Sequence, residues 1–77
     1  MDQSLQRYFE DQFGMFSTPG WNEFYQHFEN ILKQTDSLTG VDSAEKLYFR
    51  QGQLDVLRLV VNWPRFVEQA YEDNKDG

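Results

Sequence analysis

The sequence predicts an all-α fold, a helical hairpin with a short helix at each end. Apolar residues recur every three or four positions along most of the 77 residues, which is the spacing of residues on one face of a helix. No stretch alternates apolar and polar residues in the manner of a half-buried strand. The two prolines fall where helices begin or break. The length allows one domain, residues 1–77.

The first two predicted helices cover residues 4–13 and 19–34. Gly14 occupies the position at which a left-handed residue ends many helices. Thr18 is suited to cap the second helix, and Pro19 suits its first position, where the missing N–H would have no partner in any case. The second helix has an aromatic-rich stripe, which we expect to form the core of the hairpin. Its members are Trp21, Phe24, Phe28 and Ile31.

The third predicted helix, residues 43–63, differs from the others because it is apolar on two faces. One face carries Leu47, Leu54, Leu57 and Val61. The opposite face carries Phe49, Val56, Val60 and Trp63. The second helix can cover one face, since the connection over residues 35–40 is short enough for an antiparallel hairpin. Gly52 costs about 1 kcal/mol relative to alanine in mid-helix. We expect close packing against the second helix to offset this cost, and the alternative is a backbone contact to another chain.

Short polar signals set the limits of the third and fourth helices. Asp42 followed by Glu45 resembles a capping box and is expected to begin the third helix. Pro64 predicts a break at residues 62–63, because proline removes a backbone hydrogen bond and disfavours helical angles in the residue before it. A last short helix then covers residues 64–72, and the polar tail from about residue 72 is expected to fray.

The composition argues against several classes of function. A formal net charge of −6 and a pI of about 4.5 oppose direct binding to nucleic acid or to anionic lipid, which requires a surplus of Lys and Arg. The chain has no cysteine, so neither a disulfide nor a thiolate metal site is predicted. His27 is the only histidine, and it has no partner at a catalytic or metal-ligand spacing. We therefore predict no catalytic residue, no cofactor and no metal, and a protein that is not an enzyme.

The partner-binding residues are predicted on the second apolar face of the third helix. A face that the hairpin leaves uncovered needs another protein subunit, either a second copy or part of a larger assembly. Arg50 lies nearer the opposite face and is included with Tyr48 at the edge of the buried surface, because arginine beside aromatic side chains is enriched at binding hot spots. Arg58 is instead expected to pair with Asp55, three residues earlier. The predicted partner-binding residues are Tyr48, Phe49, Arg50, Val56, Val60 and Trp63.

Three short blocks carry a resemblance to known proteins: residues 16–21 (FSTPGW), residues 47–54 (LYFRQGQL) and residues 62–64 (NWP), with Leu57 between the last two. With these blocks the chain resembles small uncharacterised helical proteins of tailed bacteriophages, especially marine short-tailed ones, over about two-thirds of its length. The resemblance transfers no catalytic residue. It implies a protein of the phage particle or of phage takeover, chiefly a small virion component lying on or inside a larger assembly.

The predicted function is a non-enzymatic protein–protein interaction or assembly module that works as an oligomer or as a complex subunit. The resemblance makes it a small virion-associated structural component. The alternative is a small acidic phage protein that inhibits a host enzyme by docking on it or, with less support, by mimicking DNA through its carboxylates. No secretory signal and no bilayer-spanning apolar run is visible. We therefore expect the host cytoplasm or the virion as its location, without membrane contact.

Overall fold

The structure is a computed structural model that describes residues 1–37 and 39–75. Over these residues the chain contains four helices and no strand, which confirms the predicted all-α class. The helices are α1, Gln3–Phe16; α2, Pro19–Thr35; α3, Ala44–Val61; and α4, Trp63–Asn74.

Side-chain caps begin the first three helices. The Asp2 carboxylate accepts the Leu5 N–H at 2.7 Å at the start of α1. Thr18 caps α2 as predicted, with Pro19 in the first turn. At α3 the capping box prediction is wrong, because Ser43, which has an extended backbone, is the N-cap residue. Asp42 lies one residue too early to cap, and its carboxylate instead forms an ion pair of 2.8 Å with the Lys46 amine.

The corner between α1 and α2 also differs from the prediction. Gly14 does not end α1, which continues to Phe16, and Gly14 does not have the positive φ that a left-handed terminating residue requires. The Ser17 and Thr18 N–H groups close the last turn on the carbonyls of Gly14 and Met15, at 3.2 and 3.0 Å. Ser17 and Thr18, rather than Gly14, therefore terminate α1.

The predicted break before Pro64 is confirmed. α3 ends at Val61, and Asn62 is both its C-cap and the N-cap of α4. The Asn62 N–H bonds the Arg58 carbonyl at 2.9 Å, while the Asn62 carbonyl accepts the Phe66 N–H at 3.1 Å. A single residue thus joins two helices, and Pro64 lies in the first turn of α4, where it breaks no helical hydrogen bond.

The end of α4 is longer than predicted. The helix continues to Asn74, two residues beyond its predicted end, and the expected fraying of the tail stays a prediction. The Asn74 amide donates to the Ala70 carbonyl at 2.8 Å, and the Lys75 amine pairs with the Glu72 carboxylate at 2.8 Å. The hydrogen bond and the charge of Glu72 raise the pKa of Lys75 above its ordinary value. The rest of the predicted tail, residues 76–77, lies outside the described residues.

The helices associate as two pairs. α2 and α3 form an antiparallel hairpin, since the start of α2 lines one apolar pocket with the end of α3 and the end of α2 lines another with the first half of α3. In the other pair, Phe9 and Phe13 of α1 meet Tyr71 of α4 edge to face, with ring centroids 5.4 and 5.5 Å apart. The Trp63 indole N–H donates to Gln12 Oε1 at 3.0 Å and adds a polar link between α1 and α4.

The core of this arrangement is thin. Only Phe9, Leu54 and Val67 are buried among the described hydrophobic residues. The radius of gyration is 16.4 Å, whereas a compact domain of this length has one of about 11.5 Å. The accessible surface is 5968 Å², compared with about 4,900 Å² for a compact chain of this mass. The chain therefore exposes about 1,000 Å² more surface than its size requires.

The aromatic stripe of α2 is less buried than predicted. No residue of α2 is fully buried, Phe28 is half-buried, and Phe24 remains 44% exposed. Successive rings of the stripe instead contact one another along the helix surface, with centroids 5.5 Å apart for Trp21 and Phe24 and 4.5 Å apart for Phe24 and Phe28. One neighbouring helix cannot cover so many large rings, so part of the stripe stays in solvent.

Replacing Phe9 by alanine tests where the core lies. Phe9 is 3% exposed, and its removal leaves a cavity, so we expect Phe9→Ala to lower the free energy of unfolding by roughly 3–5 kcal/mol. Phe28→Ala removes a half-buried ring and should cost only about 1–2 kcal/mol. Urea unfolding followed by circular dichroism measures both values. A larger loss for Phe28→Ala than for Phe9→Ala would contradict the position of the core.

Candidate functional site

The candidate site is the face of α3 that points away from the buried Leu54. Four large apolar side chains on this face stay in solvent: Tyr48 and Phe49 are each 70% exposed, Val56 is 61% exposed and Leu59 is 51% exposed. Together with Gly52 we call them the outer face of α3. Single exposed apolar residues are common on protein surfaces, but a contiguous group usually marks an interaction site.

The sequence of α3 explains why this face exists. At about 100° per residue, Leu47, Leu54 and Val61 fall on one side, where α2 can cover them. Phe49 and Val56 fall on the other side, where the described residues place no helix. The short connection after α2 holds the hairpin on the Leu54 side, so no helix of the described residues covers the outer face.

A shallow groove of about 570 Å³ runs along the outer face where it meets the end of α2. Its lining residues are Ile31, Thr35, Tyr48, Phe49, Gly52, Gln53, Val56 and Leu57. A Cβ atom placed on Gly52 would have no heavy atom within 4 Å. The prediction that Gly52 packs closely against α2 is therefore wrong, because the glycine opens into the groove.

A second apolar pocket, of about 310 Å³, lies at the other end of α3. Its lining residues are Met15, Trp21, Phe24, Leu59, Val60 and Trp63. Leu59 belongs both to this pocket and to the outer face, so apolar surface continues from the middle of α3 to the corner between α1 and α2.

The structure separates the predicted partner-binding residues into three groups, two of which are described here, and the third is Arg50. Tyr48, Phe49 and Val56 lie on the outer face and are open to solvent. Val60 and Trp63 are half-buried and line the second pocket. The Trp63 indole N–H is bonded to Gln12 within the chain, and Trp63 is the first residue of α4, at the junction of the two helix pairs.

Arg50 is the clearest correction to the predicted site. Its guanidinium is half-buried and bonds backbone carbonyls of the connection after α2. Nη1 donates to the carbonyls of Thr35 and Ser37 at 3.2 and 2.5 Å, and Nη2 donates to the Thr39 carbonyl at 3.4 Å. A planar guanidinium presents several donors in a fixed geometry, so one side chain can bond three carbonyls. Arg50 therefore holds the turn of the hairpin rather than an open partner surface.

The expected Asp55–Arg58 pair is also absent. The Arg58 guanidinium instead lies 3.8 Å from the Asp36 carboxylate, and both side chains are more than half exposed, so the contact adds little stability. The Asp55 carboxylate has no hydrogen bond or ion pair to any described residue, and the Tyr48 hydroxyl has none either. Both polar groups flank the outer face and are available to another molecule.

Sequence reasoning missed Leu59, Phe24 and Met15 as exposed apolar residues. Leu59 could have been found, because it follows Phe49, Gly52 and Val56 at successive steps of three, four and three residues. This is the spacing of a helix–helix seam. The exposure of Phe24 and Met15 depends on how α1 meets the hairpin, and no local pattern in the sequence contains that information.

The remaining candidate residues do not converge. His27 is exposed and has its ring edge against Phe28, with centroids 5.9 Å apart. Among the described residues, no three metal-ligating side chains come together. No helix of the described chain is long and apolar enough to cross a bilayer.

Comparison with family models, with curated proteins and with solved structures finds no match for this chain. The candidate site therefore depends on the geometry of the outer face.

Replacing Arg50 tests its role at the hairpin turn. Arg50→Ala removes the donors to three carbonyls, and we expect a loss of about 1.5–3 kcal/mol in the free energy of unfolding, the range for hydrogen bonds from charged groups. Arg65→Ala is the control, since Arg65 is exposed and bonds no described residue. Thermal and urea unfolding measure both variants. An unchanged midpoint for Arg50→Ala, together with weakened association, would show that Arg50 belongs to the partner surface.

Proposed function

We propose that this chain is a non-enzymatic protein–protein interaction module that works as a subunit of an assembly and docks through the outer face of α3. The observation that supports this proposal most directly is the exposure of Tyr48 and Phe49, at 70% each, beside Val56 at 61%. Leaving such large side chains in water is unfavourable, because buried apolar area contributes about 25 cal/mol per Å². Docking recovers this free energy, whereas the chain's own fold does not.

The shape of the molecule supports the same proposal. Its principal dimensions are 51 × 28 × 15 Å. The molecule is therefore thin and elongated, and every side chain lies close to its surface. With three buried hydrophobic residues among those described, the chain has little core of its own, and small domains of this kind commonly gain stability through association. The proposal therefore links stability and function through the same apolar surface.

The resemblance described above suggests which assembly this is. A small helical subunit without a catalytic group fits a virion component that lies against larger proteins, and this is the form of the function that we favour. Docking on a host enzyme as an acidic inhibitor would use the same outer face, with the net charge of −6 selecting a basic partner surface. Self-association or co-purification with particles supports the first role, and one-to-one binding to a single host protein supports the second.

A pair of matched variants tests the proposal. Phe49→Ser removes an exposed ring from the outer face, and Phe66→Ser removes a ring that is 49% exposed on α4. We expect Phe49→Ser to abolish association with other subunits, because a buried aromatic anchor contributes about 2 kcal/mol or more to binding. Phe66→Ser should leave association unchanged. Analytical ultracentrifugation and affinity capture from the native cell measure association, and circular dichroism confirms that both variants remain helical.

The comparison between the two variants decides the outcome. If Phe49→Ser associates as the wild type does, the outer face is not the docking surface. If both variants lose association equally, the effect comes from a general loss of apolar surface.

A further inference from the structure

We propose that the outer face of α3 receives an amphipathic helix of another protein, one whose apolar anchors are flanked by lysine or arginine. This inference rests on the proposed function and identifies the chemistry of the partner. It is supported by the shape of the groove beside the outer face, by the position of Gly52 within that groove and by the distribution of unpaired charge on the hairpin.

The groove has the length of a helix-binding site. It extends along α3 from Tyr48 to Leu57, and Ile31 and Thr35 at the end of α2 line its other side. That stretch of α3 rises about 13 Å, or about two and a half turns. A docked helix covers such a length with apolar side chains at positions i, i+3 or i+4, and i+7.

Gly52 provides room for a large anchor. A Cβ at this position would meet no heavy atom of its own chain within 4 Å, so packing within the chain does not explain a residue that weakens a helix. The neighbours one turn away on the same face are Phe49 and Val56, and both are more than half exposed. The backbone between them is therefore an open depression. A leucine or an aromatic ring of an approaching helix fills such a depression, as a knob fills a hole.

The unpaired charge on the outer face is negative. The carboxylates of Glu45 and Asp55 have no hydrogen bond or ion pair to any described residue. Glu45 lies one turn before Phe49, and Asp55 lies one turn after Gly52, so both border the outer face. Every lysine and arginine of the hairpin, in contrast, has a partner within the chain: Lys33 with Glu29, Lys46 with Asp42, Arg58 with Asp36, and Arg50 with backbone carbonyls. A partner with basic side chains beside its apolar anchors complements this pattern.

A second copy of this chain does not supply such a helix. Each of α1, α2 and α4 carries fewer basic than acidic side chains, and the outer face of α3 brings Glu45 and Asp55 with it. Self-association through this face would place carboxylates against carboxylates between molecules of net charge −6. A basic helix is instead attracted to the acidic chain before contact is made.

The first experiment compares two peptide probes on the wild-type chain. Both are stapled helices with leucine at positions i, i+3 and i+7, and the flanking positions carry lysine in one and glutamate in the other. We expect the lysine peptide to bind at least about tenfold more tightly at low salt, and the difference to shrink as salt screens the charges. Fluorescence anisotropy gives both dissociation constants. Equal binding of the two peptides, or binding of neither, would overturn the proposal.

The second experiment locates the lysine peptide. Asp55→Lys places a repelling charge at the edge of the outer face. Glu68→Lys makes the same change of net charge on α4, where Glu68 is exposed and bonds no described residue. At physiological salt we expect Asp55→Lys to weaken binding at least about tenfold and Glu68→Lys to change it less than about twofold. Equal losses would mean that the net charge alone attracts the peptide, and the site would be wrong.

The third experiment fills the depression. Gly52→Gln introduces a better helix former at a position with open space around it. We expect its unfolding midpoint to rise, while the lysine peptide binds at least about tenfold more weakly. Gly14→Gln is the matched control, since Gly14 is also helical and exposed with no atom near its missing Cβ. It should raise the midpoint and leave peptide binding unchanged. Normal binding of the peptide by Gly52→Gln would rule out this groove.

Failure of this inference differs from failure of the proposed function. If neither peptide binds but Phe49→Ser still abolishes association with a native subunit, the partner is not a basic helix and the docking function stands. A wild-type chain that dimerises, with the dimer lost in Phe49→Ser, would show that a second copy covers the outer face instead. If Phe49→Ser changes association with no subunit, the proposed function itself is wrong.

Discussion

The constraint on which this structure depends is that its longest helix is apolar on two faces and has a neighbour on only one. α2 covers the Leu54 side of α3, and the short connection, held by the Arg50 guanidinium, fixes that choice. α1 and α4 are joined to the hairpin at its ends, where they pair with each other. Within the described parts of the chain no helix is left to cover the outer face, so the elongated shape, the thin core and the exposed rings have one common cause.

Local chemistry explains why much of the fold could be predicted from the sequence. Thr18 and Pro19 mark the start of α2, and Pro64 marks the break after α3, because capping and the missing proline N–H act within one helical turn. The errors at Gly14 and Asp42 were also local, since Ser17 and Ser43 were better placed for the same tasks. In both cases a neighbouring serine took the role that the sequence pattern assigned to Gly14 or Asp42.

The candidate site was predicted only in part, because exposure depends on tertiary packing. The two-faced pattern of α3 identified Phe49 and Val56, which the structure leaves open along with Tyr48, predicted from its place beside Phe49 and Arg50. It could not foresee that the Arg50 guanidinium would fold back onto the carbonyls of Thr35 and Ser37. These atoms come together through the bend of the chain, and spacing within a single helix does not describe that bend.

The pairing of α1 with α4 has a consequence for the order of folding. The Gln12–Trp63 hydrogen bond joins residues 51 positions apart, whereas the hairpin brings together neighbouring segments. Closing the longer loop costs more chain entropy. The contacts between α1 and α4 offset that cost only after most of the chain is already ordered. We therefore expect the α2–α3 hairpin to form before the terminal pair.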